Sequence, residues 1–283
     1  MTWTVDTNVQ VQNLISQIAT RLTGGGWTEA DAGNRVYQTT NDHGAQVNLQ
    51  ISEGGSYQYI QLKGWRLWSG GVGTDGSAVT ATRIYYAGVN VAGTTTVDLY
   101  MSVTTNRVII FINGYANWRN WAYCGGLGSI NGANDPTCVY LIASFNTASV
   151  YDLGYILQYV GGSSAAYWQV ERLAVPAFVN DADTPAVSGL VLAQGVGSDP
   201  SKVVIYPILC LDPVHYTGIG APVLRGDLDG LFYCPVGSNI VGHLSTISIS
   251  GVTYLVIIPG GQNAANTHPV TGNYNQGLAI AEV

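Results

Sequence analysis

Apolar positions along the chain follow two periods, and the change between them comes near residue 26. Over the first stretch, Val11, Leu14, Ile15, Ile18, Ala19 and Leu22 recur at the three- and four-residue spacing that gathers side chains on one face of a helix. This predicts one N-terminal α-helix at about 7–22. Asp6 or Thr7 would cap its start, because a short side-chain oxygen there accepts from a free backbone N–H. Gly24, Gly25 and Gly26 would stop it. Beyond them come short β-branched and aromatic runs, "RVYQTT", "AQVNLQIS", "YQYIQLKGWRLW", "TRIYYAGVNV", "TTVDLYMSV" and "NRVIIFING", set apart by Gly, Asn, Asp and Ser. In "QVNLQIS", Val47, Leu49 and Ile51 alternate with Gln46, Asn48 and Gln50, which gives a strand with one buried and one polar face. The unbroken apolar run Val108 to Ile112 predicts a central, buried strand. Regular short strands of this kind predict a mainly β fold, an antiparallel sandwich or barrel-like body, rather than alternating strands and helices.

The later chain carries further strand patterns in "KVVIYPILCLD", "LDGLFYCP", "TISISGVTYLVIIP" and "YNQGLAIAEV". Turn-forming clusters such as "NDADTP" and "GVGSDP" place a loop-rich connection at 181–200. It would separate a helix-plus-β body over 1–180 from a C-terminal β region over 201–283. A single continuous body is equally compatible with the pattern, and no internal repeat is visible.

Composition narrows the function classes. Charged residues make up only 10% of 283, against about 25% in ordinary globular chains, so the surface must be built largely from Ser, Thr, Asn, Gln, Gly and backbone. With 18 Tyr and 7 Trp, this suits a subunit of a permanent assembly, since interface cores are poor in charge and rich in aromatics. A neutral, stable β domain suits it equally. The net charge of −7 and the presence of only two lysines, Lys63 and Lys202, argue against nucleic acid, whose phosphates need many cations. No apolar run reaches the ~20 residues of a membrane helix, and "MTWTVDTNVQ" lacks the basic and apolar regions of a signal peptide. Membrane insertion is therefore not expected, and folding in a cytoplasm is. Cys124, Cys138, Cys210 and Cys234 form no C-x-x-C and are expected as free thiols.

Motifs with chemical content reduce to turns. Gly71, Gly73 and Gly76 spell G-x-G-x-x-G, but a β-prone stretch follows where a dinucleotide site needs a helix N-terminus. The histidines (His43, His215, His243, His268) lie far apart in sequence. Two carboxylate pairs, Asp181 with Asp183 and Asp227 with Asp229, could serve glycoside hydrolysis or a hard cation. Next to Gly and Pro they read as turn formers, and "RGDLDG" reads as a turn holding an Arg225–Asp227 pair. No catalytic residue, metal or cofactor is expected. The concentration of rings after the central strand is what stands out: Tyr115, Trp118, Trp121 and Tyr123 are the candidate subunit-contact residues. A helical turn at 117–120 would present Trp118 and Trp121 together to a neighbour, whereas core packing would bury them.

The order of these segments resembles a diverse group of tailed-bacteriophage virion structural proteins found among tail and baseplate components. The likeness rests on a short helix ending in Gly-Trp, here "LISQIATRLTGGGW", a Trp- and Gly-rich β segment, "LKGWRLWSGGVG", and the pair "IYYAGVNV" and "VDLYMSV". "NRVIIFINGYANWRNWAYCGGL" comes next, and a "GDLDGLFYCP" turn and "VTYLVIIPG" lie near the C-terminus. It covers most of the chain except about 160–200. It implies a non-enzymatic building block of a virion made in the host bacterial cytoplasm, in a symmetric assembly, without placing it in the particle; a tail, baseplate or neck component is the first function class. Its partners would be itself, as a homo-oligomer, and other virion subunits. A receptor- or carbohydrate-binding virion protein is the alternative, and an enzyme with a secreted-type β-sandwich is a third class.

Overall fold

In the computed structural model, the described residues are 3–42, 44–76, 83–87, 89–115, 118–128, 139–143, 165–170, 177–179, 205–212, 223–235, 243–257 and 276–282. The fold is mainly β and antiparallel, with one α-helix among the described residues. The chain opens with β1 (Thr4–Gln10), a 3-10 turn (Val11–Asn13) and α1 (Leu14–Gly24). A first group of strands follows: β2 (Thr28–Asp31), β3 (Val36–Thr40), β4 (Gln46–Gly54), β5 (Tyr59–Ser69), β6 (Val72–Gly76) and β7 (Arg83–Tyr85). Next come β8 (Thr96–Val103), β9 (Arg107–Asn113), β10 (Arg119–Gly128), β11 (Val139–Ala143), β12 (Ala165–Val170) and β13 (Ala177–Val179). The last group is β14 (Tyr206–Asp212), β15 (Val223–Pro235), β16 (Ser245–Ile249), β17 (Val252–Ile257) and β18 (Gln276–Ala281).

Two sheets result. A six-stranded sheet runs β2-β3-β4-β5-β6, with β7 also on β5. A twelve-stranded sheet runs β1-β8-β9-β10-β15-β18-β17-β16, with β11, β12, β13 and β14 off that path. The triplet β8–β9–β10 is a wall with a core on each side. One core joins Val108, Ile110, Ile112, Ala122 and Cys124 of the wall to Leu14, Ile18 and Leu22 of α1 and to Leu49, Ile51, Ile60, Leu62 and Ile84 of the smaller sheet. The other joins Tyr100, Ile109, Phe111, Trp121 and Tyr123 to Leu228, Leu231, Leu255, Ile257, Leu278 and Ile280. A strand covered on both faces has no polar side to alternate with, which is why Val108 to Ile112 is apolar throughout.

The helix begins later than expected. Residues 4–10 form β1 on β8, Asp6 facing Leu99, with a register break between Asp6 and Val9 where Asn8 adopts φ 56°. The side chain of Asn13 at the helix start makes no capping bond, and Asp6, instead of capping, forms an ion pair with Arg21 one helix length away, Arg21 Nε donating to Asp6 Oδ2 at 2.8 Å. At the other end Gly25 N–H closes on the carbonyls of Arg21 and Leu22, the stop the glycines predicted. The apparent nucleotide motif is a hairpin: β6 pairs with β5 across Gly70 and Gly71, both at positive φ. The 181–200 connection lies outside the described residues. The sheet passes directly from β10 to β15, Leu127 opposite Leu228, and the second core draws on residues from both sides of that connection.

Candidate functional site

The four contact candidates part company. At the ends of β9 and β10, Gly114 N–H donates to the Trp118 carbonyl at 2.6 Å and Tyr115 N–H to the Tyr86 carbonyl at 2.8 Å. From Arg119 onward the chain is a strand, not a helical turn. Residues three apart on a strand face opposite ways, so Trp118 and Trp121 do not present one surface. Trp118 is 2% exposed, with its ring 5.9 Å from Tyr85 on the side of the smaller sheet. Trp121, 1% exposed, and the fully buried Tyr123 fill the second core; the Tyr123 hydroxyl donates to the Gly126 carbonyl. These three are therefore corrected from contact to packing residues within this chain. Only Tyr115, 50% exposed, reaches outward.

A different aromatic surface emerges on the outer face of the six-stranded sheet. Ile60, Leu62 and Ile84 point into the first core, so their alternate neighbours Tyr59, Gln61, Lys63, Arg83 and Tyr85 take the outer face. Tyr59 and Tyr85 sit opposite each other with ring centres 4.8 Å apart. The Arg83 guanidinium lies 4.6 Å from the Tyr59 ring and donates to the Tyr85 hydroxyl at 3.1 Å. Further along β5, Lys63 Nζ stands 3.8 Å from the centre of the Trp65 ring, and partial burial holds its ammonium below the ordinary lysine pKa. Trp65 Nε1 donates to Gln50 at 3.0 Å and its ring meets Trp68 edge-on at 5.5 Å. At the β5–β6 hairpin, Leu67 and Val72 are 45% and 67% exposed. Rings flanked by amides and two cations can stack on apolar or sugar surfaces while hydrogen-bonding at their edges. The signal in the sequence was "KGWRLWSGGV", whose alternate apolar residues exceed what one buried face of a hairpin needs.

Inside the wall sits one arginine. Arg107 opens β9 and is completely buried. Its Nε donates to the Asp229 carbonyl at 2.9 Å, and its Nη1 to the Ser102 carbonyl and hydroxyl at 2.9 and 2.7 Å. The Asp229 carboxylate stands 3.7 Å from Nε and accepts from Asn106 Nδ2 at 3.0 Å. Room for the guanidinium comes from glycine: a Cβ on Gly230 (φ +70°) would strike Nη2, and one on Gly125 would strike the Arg107 stem. Burial pulls the Arg107 pKa down, and the charge of Asp229 partly opposes it. Nearby, Asp227 is pushed up, first by burial and then by Asp229. "RGDLDG" is therefore a bent stretch of β15 rather than a turn, and its carboxylates serve a joint between β9, β10 and β15. The Arg225 side chain, and with it the expected Arg225–Asp227 pair, lies outside the described residues.

The remaining candidates are packing groups or fall outside the described residues. Cys124 and Cys234 are free, buried thiols pushed up by burial to about 12 and about 11. His243, edge-on to Phe111 at 5.6 Å, is held down at about 3 by burial and by the charge of Arg119. His43, His215, His268, Cys138, Asp181 and Asp183 lie outside the described residues. Among the described residues no three His, Cys, Asp or Glu side chains gather as a metal site, and no helix is long and apolar enough to cross a membrane. No protein-family model matches this chain, and no curated protein matches it in sequence.

Proposed function

We propose that the chain is a structural subunit of a bacteriophage virion, a tail, baseplate or neck component that works by oligomeric assembly and not by catalysis. One observation carries this reading: the outer face of β5 and β6 holds Trp65, Leu67 and Val72 together, with Leu67 and Val72 substantially exposed and the half-buried Trp65 ring meeting Trp68 edge-on. Large rings and aliphatic side chains on an open face are the usual material of interface centres. The order of sequence segments supplies the virion context. The experiment is mass spectrometry of purified particles together with the native mass of the isolated protein. Presence in particles in multiple copies supports the reading. A protein absent from particles and monomeric in isolation refutes it.

The Tyr59–Tyr85 pair favours one second reading, a carbohydrate- or receptor-binding virion protein. Half-buried rings beside Arg83 and Gln61 provide both a stacking plane and hydrogen-bonding edges. Binding to a glycan array that is lost on Tyr59→Ala would support it, and silence across the array would count against it.

A further inference from the structure

Edge strands carry unpaired N–H and C=O groups that invite another strand, and proteins usually guard them with charge, proline, a bulge or shortness. Among the described residues, the sheet edges of four residues or more are β1, β2, β6, β14 and β16. β1 has Asp6 and its break at Asn8. β2 has Glu29 and Asp31, β6 has Asp75, and β14 has Pro207 and Asp212. β16, Ser-Thr-Ile-Ser-Ile, has no charge, proline or bulge, and no charged residue or proline occurs from Leu244 through Ile257. It pairs with β17 in unbroken register, Ser245 opposite Val256 to Ile249 opposite Val252. Its two faces differ: Thr246 and Ser248 are exposed, while Ile247 and Ile249 pack on the cluster of Cys234, Tyr254, Val256, Ala279 and Ala281.

We propose that β16 is a self-association edge, pairing antiparallel with β16 of a second copy of this chain. Resting on the assembly reading above, this adds the surface and the partner. The strand is complementary to itself. An antiparallel pairing centred on Ile247 sets Ile247 against its own mate, Thr246 against Ser248, and Ser245 against Ile249. Opposed residues in such a pair share a face, so the polar row continues as a polar row. The isoleucine side continues the apolar cluster across the seam. No like charges meet, and no bulge breaks the ladder. The join would run two twelve-stranded sheets into one. A short strand pair alone covers less than the about 1,200 Å² of a stable interface, so this contact is expected to act with others in a closed assembly.

The test uses the full chain in two arms. Thr246→Lys with Ser248→Lys places lysines opposite one another across the seam while leaving the half-buried isoleucines intact. Sedimentation equilibrium should show the self-association constant of the parent weakened roughly tenfold or more. In the second arm, Ile247→Cys should cross-link to its mate under mild oxidation, since opposed Cβ atoms stand about 4.5–5.5 Å apart. Thr7→Cys on the β1 edge should not. An oligomer unaffected by the lysines, or cross-linking at Ile247 no faster than at Thr7, would overturn the β16 edge while leaving the assembly reading standing. A parent protein that stays monomeric and yields no cross-link would overturn the β16 edge, and the assembly reading with it where the protein is also absent from purified particles.

Discussion

Arg107→Ala should be among the most damaging single changes in the molecule, and its cost can be worked out from its partners. The guanidinium serves two backbone carbonyls, of Asp229 and Ser102, and the Ser102 hydroxyl, at 2.7 to 2.9 Å. A buried acceptor left without its donor costs about 1–3 kcal/mol. Against this, burying a cation is itself unfavourable, as the lowered Arg107 pKa records. The balance for removing one member of a buried charged set is about 3–5 kcal/mol. The Asp229 carboxylate contributes much less, because it stands 3.7 Å from Nε and its side chain is 37% exposed. Asp229→Asn keeps the backbone carbonyl that Arg107 uses, so it should cost under about 1 kcal/mol. Arg107→Met keeps the stem and loses the donors, and should fall between the two. Urea unfolding followed by tryptophan fluorescence gives these differences from midpoints at matched slopes. Were Asp229→Asn as harmful as Arg107→Ala, the ion pair would be the element that holds the joint. Were Arg107→Met as stable as the parent, desolvation would cancel the hydrogen bonds.

Further outcomes follow from the same contacts. Gly230→Ala should destabilise by more than about 2 kcal/mol, since a left-handed residue costs ~1–2 kcal/mol before its Cβ meets Arg107; Gly251→Ala, at φ +84° with nothing within 4 Å, should show only the backbone part in the same melts. His243 has a folded pKa of about 3 against an ordinary 6.5, so the unfolded chain takes up its proton first: stability is full above pH 6.5 and declines towards pH 3. His243→Leu should flatten that acid slope in thermal melts, and an unchanged slope would refute the assignment. Trp121→Ala should cost about 3–5 kcal/mol of folding stability, measured by chemical unfolding. Trp65→Ala should instead leave the melt within ~1 kcal/mol and weaken assembly by ~2 kcal/mol in a particle-incorporation assay.

Local pattern carried the fold wherever the deciding contacts were local or repetitive. Leu14, Ile18 and Leu22 announced the buried face of α1, and the alternation of Val47, Leu49 and Ile51 announced β4. The start of the helix was not legible. Residues 4–10 pair with β8, some 90 residues away, and Asp6 looks like a cap until Arg21 is seen beside it. "RGDLDG" misled for a related reason. Its glycines bend β15 around Arg107, a partner over 100 positions earlier, so the local signal of a turn was real while its cause was distant. In the aromatic segment after β9, Asn and Arg favour a short loop or helical turn, while the rings suit core packing equally. Strand pairing with β9 overrode that propensity and sent Trp118 and Trp121 apart. Trp65 and Trp68 stand out as a Trp-rich stretch, but both rings are half-buried, and which side each takes depends on which face of β5 meets the core.

The wall of β8, β9 and β10 also fixes an order of events during synthesis. All three strands are complete by Gly128, yet the residues that cover Phe111, Trp121 and Tyr123 belong to β15, β17 and β18, made about 100 to 150 residues later. At ~5–20 residues per second a ribosome leaves that face uncovered for about 5–30 s. During that interval the nascent chain displays a broad aromatic and aliphatic sheet face, which invites chaperones or premature pairing with a sister chain. Chains cut short before β15 should therefore aggregate instead of accumulating as a folded half.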